Sequence, residues 1–224
     1  MKSSMHNVFL TGCDKHTEWQ LPWFIKNYRE HNTTPIVLAD FGMHPKTRKQ
    51  MEWMFDLVID VKSEAKGWFK KPRAILDATK LDGVKKVCWI DTDCEIKDNI
   101  DDVFNFTVQG KLSMVEDEPW SVRKHERWHN SGVVAFEGSP AILSYWAREA
   151  NVLTEDRGPM YGDQDILHEL VREGLNREIH IRTLPKTWNT LRLDLLDNTA
   201  PKDIKIMHWT GGKGKDEIRK QINE

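Results

Sequence analysis

Cysteine is scarce in this chain: Cys13, Cys88 and Cys94 are the full set, widely spread, and no Cys-x-x-Cys pair occurs. That excludes a disulfide framework and offers no thiol-based zinc or redox motif, so the expectation is three buried thiols. Long apolar runs are missing too. Nothing approaches the roughly 20 apolar residues that a membrane-spanning helix requires. Residues 1–7 lead into a five-residue strand-like stretch where a secretory signal would carry its apolar core, so the expected location is the cytoplasm. An excess of positive charge is absent as well. With 33 Lys and Arg against 35 Asp and Glu, the formal net charge of -2 gives no general pull on polyanions, and nucleic acid is disfavoured as a partner. Any phosphate has to be met by a local arrangement of side chains.

What is present suits one α/β domain: 224 residues are comfortable for one such domain and tight for two. Short apolar runs alternate with longer amphipathic ones, as in a parallel sheet with crossover helices. Val8–Gly12 reads as a first strand. Glu18 to His31 reads as a helix with Leu21, Phe24, Ile25 and Tyr28 on one stripe and Pro22 in its first turn. Strands are expected at Pro35–Ala39, Asp56–Val61 and Lys86–Ile90, with helices from Pro45 to Met54 and from Pro72 to Lys80; the most apolar strand, Lys86–Ile90, is expected at the centre. Beyond Asp93 come strands at Lys111–Val115 and Ser131–Phe136 around a polar, Trp-rich insert from Glu116 to Asn130. Helices are expected at Pro140–Ala150 and Asp163–Glu173, strands at Glu178–Thr183 and Ile204–Trp209, and a polar tail from Gly211 to Glu224.

The sharpest chemical feature is Asp91-Thr92-Asp93, at the carboxyl end of the apolar strand Lys86–Ile90, the edge where open α/β sheets bind ligands. Hard carboxylate oxygens suit Mg²⁺ or Mn²⁺, which keep positions open for water and substrate phosphates. Read as an extended i, i+2 pair, the two carboxylates divide the work: one holds the metal, the other meets a ribose, a sugar or a metal-bound water. His208 ends a later strand and runs into Gly211-Gly212-Lys213-Gly214-Lys215, an imidazole followed by a glycine-rich basic turn suited to phosphate oxygens. Asp163-Gln164-Asp165 opens a helix; the pattern suits an ordinary N-cap, and equally suits sugar hydroxyls or a role in the reaction. His129-Asn130-Ser131-Gly132 starts a strand with polar side chains. Lys66, Lys70, Lys71 and Arg73 gather four basic groups around Trp68 and Phe69.

Taken in order, these pieces resemble the GT-A glycosyltransferases, in particular the family 8-like group that includes glycogenin. The resemblance covers most of the chain. It implies a single GT-A domain with a mostly parallel central sheet, residues 1–95 forming the nucleotide-binding half and residues 96–224 the acceptor side with a C-terminal metal and phosphate turn. By the same resemblance, Thr11, Gly12 and Asp14 at the first strand's end contact the nucleotide, Lys71 and Arg73 face the donor, and Asp91, Asp93 and His208 hold Mn²⁺ or Mg²⁺. Thr92, Asn130, Ser131, Gly211, Lys213 and Lys215 line the donor site, and Asp163, Gln164 and Asp165 carry the reaction. Two departures matter: where the family commonly has a phosphate-binding lysine, six positions after the histidine, this chain has Gly214, so Lys213 or Lys215 has to take that role; and Ile90 before the motif with Cys94-Glu95 after it leaves the donor sugar unspecified.

The implied activity is transfer of a sugar from a nucleoside-diphosphate donor, UDP by default, to a hydroxyl of a glycan or another acceptor. Trp120, Trp128 and Trp188 are the candidates for stacking on an acceptor sugar. Two alternatives stay open: a metal-dependent nucleotidyl or phosphoryl transferase, and a nucleotide-sugar-binding module without catalysis.

Overall fold

The computed structural model describes residues 5–152, 157–158, 161–173 and 177–223. Along these residues the elements are β1 (Asn7–Cys13), α1 (Leu21–His31), β2 (Ile36–Asp40), α2 (Pro45–Met51), β3 (Leu57–Asp60), α3 (Lys71–Ala78), β4 (Lys86–Ile90) and β5 (Cys94–Ile96). They continue through β6 (Leu112–Glu116), α4 (Glu118–Lys124), β7 (His129–Glu137), α5 (Ala141–Val152), α6 (Asp163–Glu173), α7 (Arg177–His180), β8 (Ile181–Leu184), β9 (Thr190–Leu191), α8 (Arg192–Leu196), β10 (Ile206–His208) and α9 (Gly211–Asn223). Short 3-10 turns lead into α1 at Glu18–Gln20 and into α3 at Gly67–Lys70.

Seven strands form the main sheet in the order β3-β2-β1-β4-β7-β6-β8, so β4 lies at the centre as its composition requires. β3, β2, β1 and β4 are parallel to one another, and within this sheet β7 runs against both of its neighbours. Alternation along each strand feeds two cores. Phe9, Ile36, Leu38, Cys88 and Ile90 pack with Leu21, Phe24, Ile25 and Tyr28 of α1 on one face. Val8, Leu10, Val37, Val87 and Trp89 pack with α3, α5 and α6 on the other. Covered on both sides, β2 and β4 read as near-continuous apolar runs, the expected signature of interior strands. All three cysteines are free and buried. Among the described residues no helix is long and apolar enough to cross a membrane.

Three expectations fail. Residues 178–180 belong to the helix α7, not to a strand, which begins only at Ile181. The Trp-rich insert contains α4, capped by the Asp117 side chain on the Trp120 amide with Pro119 in the first turn. The polar tail is α9, docked through buried Ile218, a Trp23–Gln221 hydrogen bond of 2.9 Å and the Arg219 guanidinium over the Trp19 ring.

A second, three-stranded sheet β5-β10-β9 grows from the end of β4. The turn at residues 91–94 passes the chain from one sheet to the other, closed by the Cys94 amide on the Asp91 carbonyl at 3.1 Å. β10 then pairs with β5 so that His208 lies opposite Cys94.

Candidate active site

The sheet geometry brings distant residues to one edge. Because β7 runs against β4, the start of β7 lies beside the end of β4, and the Asp91 amide donates to the Gly132 carbonyl at 2.8 Å. The N-terminus of α6 points at the same place, and β10 delivers His208 from the second sheet. The Asp-Thr-Asp motif is a turn here, not extended chain. Its three side chains part company: Asp91 faces the α3 and α6 side, Thr92 donates to Gln20 Oε1 at 2.6 Å on the α1 side, and Asp93 turns to β10 and α9.

Asp93 Oδ1 lies 3.1 Å from His208 Nε2, and Asp91 Oδ2 lies 3.9 Å from the same nitrogen. In an octahedral site with bonds of about 2.1 Å, neighbouring ligand atoms stand about 3 Å apart, so Asp93 and His208 already sit at a metal-binding spacing and Asp91 slightly beyond it. His208 Nδ1 is occupied by Asn189 Oδ1 at 3.1 Å. A proton held there leaves the Nε2 lone pair facing the two carboxylates, the arrangement of a metal-ligating histidine with a fixed tautomer. These residues fit a divalent cation. Cys94 Sγ also lies near the Asp93 and His208 donor atoms. Burial pushes its thiol well up, and the charges of Asp93 and Asp91 add to this, so it faces the site as a neutral group. Burial opposes the charge on Asp93 too, but His208 and Lys215 outweigh it and hold the carboxyl well below the usual range.

The second half of the site is a buried ion cluster. Lys71 Nζ, on the first turn of α3, lies 3.2 Å from Asp91 Oδ1, 3.0 Å from Asp163 Oδ2 and 3.0 Å from Ser131 Oγ. Burial works against this ammonium, and the two carboxylates more than offset it, raising the Lys71 pKa. Trp89 Nε1 donates to Asp91 Oδ1 at 2.6 Å and fixes that carboxylate from below.

Two of the groups that tie the halves together, Asn189 and Asp117, were not singled out from sequence; the other two, Asn130 and Gln164, were. Asn189, fully buried, donates to Asn130 Oδ1 at 2.8 Å while receiving His208; Asn130 Nδ2 in turn donates to Asp117 Oδ2 at 3.2 Å. Gln164 donates to the same Asp117 oxygen at 3.4 Å and accepts from the Ser131 amide at 3.1 Å. The signal for Asp117 was available: a carboxylate just past an apolar strand, followed two residues on by proline. Asn189, between Trp188 and Thr190, had no comparable mark.

The remaining expected residues are placed as follows. Lys215 reaches Asp93 Oδ2 at 3.4 Å, whereas Lys213 is exposed on the first turn of α9. Gly214 cannot be a lysine in this packing, because a Cβ there would lie 2.1 Å from the Trp209 carbonyl oxygen. Gly211, with φ +73, starts the helix in the left-handed region. Thr11 and Gly12 are buried in β1; a Cβ on Gly12 would meet the Ala39 oxygen at 2.8 Å, so this glycine serves strand packing. Asp14 closes its own turn, accepting from the His16 amide at 2.9 Å. Arg73 pairs with Asp77 at 2.8 Å, away from the ion cluster, and Asp165 accepts from the Gly162 amide at 2.8 Å at its own helix start. Of the three tryptophans that were candidates for an acceptor, Trp188 is buried against Phe106 and Trp128 is buried flat on His168, while Trp120 sits on α4 beneath Lys124.

Gly132 offers a direct probe of this geometry. A Cβ on it would lie 2.2 Å from His208 Cε1 and 2.4 Å from Nδ1, so Gly132→Ala must displace the imidazole from Asn189. Disturbing the partner that orients a ligand costs about 10–100-fold in metal affinity. Titration with Mn²⁺, read by electron paramagnetic resonance of the free ion, should show that loss in a folded variant; an unchanged affinity would remove His208 from the ligand set.

No protein-family model matches the chain, and no curated protein matches it in sequence. Solved structures do. A galactosyltransferase, LgtC, in complex with donor and acceptor sugar analogs superposes with a TM-score of 0.62 at 14% identity, over 91% of this chain and 87% of that one. The apo form of the glycosyltransferase GlyE of Streptococcus pneumoniae TIGR4 gives 0.64 at 18% identity over 92% and 54%. Apo mouse xyloside xylosyltransferase 1 gives 0.57 at 15% identity over 91% and 96%. The chain therefore has the GT-A type of fold that its motifs led us to expect.

Proposed function

We propose that this chain is a metal-dependent glycosyltransferase that moves a sugar from a nucleoside-diphosphate donor, UDP-sugar in the first instance, to a hydroxyl of a glycan or other acceptor. The observation that carries the reading is the convergence of Asp93, His208 and Asp91 at the central strand's end, with Lys215 beside them, on a fold shared with sugar transferases. Asp93 and His208, with Asp91 completing the set, would hold Mn²⁺ or Mg²⁺, which when bound supplies Lewis-acid stabilisation of a diphosphate leaving group.

The chain's own residues do the rest. Lys215 reaches the metal side from α9 and adds positive charge where the leaving diphosphate gathers negative charge. Lys71 neutralises Asp91 and Asp163, so two carboxylates can be kept in a buried pocket to hydrogen-bond sugar hydroxyls. Gln164 and Asp117, locked to Ser131 and Asn130, present fixed polar atoms on the face where the sugar would lie. The structural likeness to transferases favours this reading over a nucleotidyl or phosphoryl transferase.

The test is calorimetric titration of UDP, GDP and dTDP into the chain with and without Mn²⁺. One nucleotide should bind only with the metal. No binding of any nucleotide under either condition would sink the donor-site reading.

A further inference from the structure

The ten tryptophans divide unevenly. Trp53 and Trp68 are the exposed ones, at 76% and 56%, and Trp53 lies beside α2, in the 3-10 turn Glu52–Met54. Trp68 stands next to the candidate active site. It sits in the 3-10 turn Gly67–Lys70 that delivers Lys71, and its Nε1 would lie 3.5 Å from a Cβ on Gly162, the residue just before Asp163.

The turn runs between the end of β1 and the start of α6. On one side Gly67, with φ +53, would place a Cβ 4.0 Å from Asp14 Oδ2 at the end of β1; on the other, Trp68 meets the start of α6. The indole is held there by neighbouring rings, with its centroid 6.1 Å from that of Phe69, which is in turn 6.4 Å from that of Tyr161. Covering an exposed apolar face is favourable, so a ligand that lies on this indole gains by removing it from water.

We propose that Trp68 is the platform for the acceptor and that the acceptor is a sugar, its apolar C–H face stacked on the indole beside Asp163 and Gln164. This rests on the donor-site reading above. The buried cluster of Lys71, Asp91 and Asp163 takes the donor sugar, so a ring that reaches the exposed Trp68 approaches from solvent, as an acceptor does. Trp128 and Trp188, the buried two of the three candidates named from sequence, serve packing instead.

The test uses the full chain loaded with UDP and Mn²⁺, with its tryptophan indoles labelled with ¹⁵N and the Trp68 signal identified from Trp68→Phe. The probes are methyl α- and β-glycosides of glucose, galactose and N-acetylglucosamine. One of them should move the Trp68 indole signal, and Trp68→Ala should weaken that glycoside's binding by about tenfold or more while UDP affinity stays unchanged. Trp68→Phe should retain part of the binding. Glycoside binding that is equal in Trp68→Ala, or failure of every glycoside to bind the UDP-loaded chain, overturns the proposal. A loss confined to the UDP-sugar would place Trp68 on the donor and overturn it too. If the unmodified chain fails to bind UDP with Mn²⁺, it is the donor-site reading that falls, and this proposal with it.

Discussion

Replacing Lys71 by methionine should cost about 3–5 kcal/mol of stability, because it leaves the buried Asp163 carboxylate, and the partly buried Asp91 beside it, without their counter-charge. The Nζ lies 3.2 Å from Asp91 and 3.0 Å from Asp163, with the lysine and Asp163 side chains both nearly sealed from water, so solvent screens little of the loss. For a chain of this size that corresponds to a fall in Tm of about 6–20 °C. The deficit should depend on pH with a definite sign. Burial already pushes the Asp163 carboxyl up, and without Lys71 its main restraint is gone, leaving only the Ser131 hydrogen bond to hold it down. A carboxyl whose folded pKa exceeds its unfolded value penalises the folded state at high pH, and the penalty fades as pH falls toward the ordinary aspartate value of about 3.9. Adding Asp163→Asn to the methionine variant should recover part of the loss, measured by thermal denaturation of the single and double variants. A Tm within a degree or so of the parent for Lys71→Met would mean that the cluster contributes little.

The second large effect is on chemistry. Asp93→Asn keeps the size of the side chain and one acceptor oxygen, but turns the other oxygen into an NH2 donor and removes the charge that would hold a metal. Metal-dependent nucleotide binding should disappear, and transfer should fall by about 10²–10³-fold, the range seen when one preorganised charge-stabilising group is removed. The fold should survive: the carboxylate that raises the His208 pKa against burial is gone, and the imidazole stays held through Nδ1 by Asn189. Isothermal titration with UDP and Mn²⁺ checks the first part. Full binding by the variant would show that the cation, if any, sits elsewhere.

The parts of this architecture that could be read from sequence are those where one short segment carries the whole signal. Lys86–Ile90 announced a central strand by being apolar at every position but the first, and Asp91-Thr92-Asp93 marked its carboxyl end. Helix α1 was legible because Leu21, Phe24, Ile25 and Tyr28 fall on one stripe, and all four are buried. Where local signals conflicted with packing, packing won. Three glycines within Gly211–Gly214 each cost a helix up to about 1 kcal/mol relative to alanine and read as a turn. Yet α9 forms there, because Gly214 must press on the Trp209 backbone and Ile218 must reach the core. Ile179, Ile181 and Thr183 alternate like a strand, but 177–180 is helical.

Asn189 and Asp117 escaped notice for a different reason. They meet Asn130, which the sequence did single out, through tertiary contacts spanning 59 and 13 positions of sequence, and no local pattern encodes such a meeting. The acceptor side stayed open for the same reason. Which of ten tryptophans stays exposed beside the site depends on how α6 and the turn before α3 approach each other, not on the residues flanking any one of them.

The central claim is that the carboxylate and imidazole edge of β4 and β10 serves sugar transfer, and it can be tested by turnover. A panel of UDP-sugars incubated with the chain and Mn²⁺, with release of UDP followed over time, should show one donor consumed slowly by water and faster when a glycoside acceptor is added. Chelation of the metal should stop both. Binding of UDP with Mn²⁺ but no UDP release from any donor, with or without acceptor, would contradict the account and identify the chain as a nucleotide-sugar-binding module on a transferase fold.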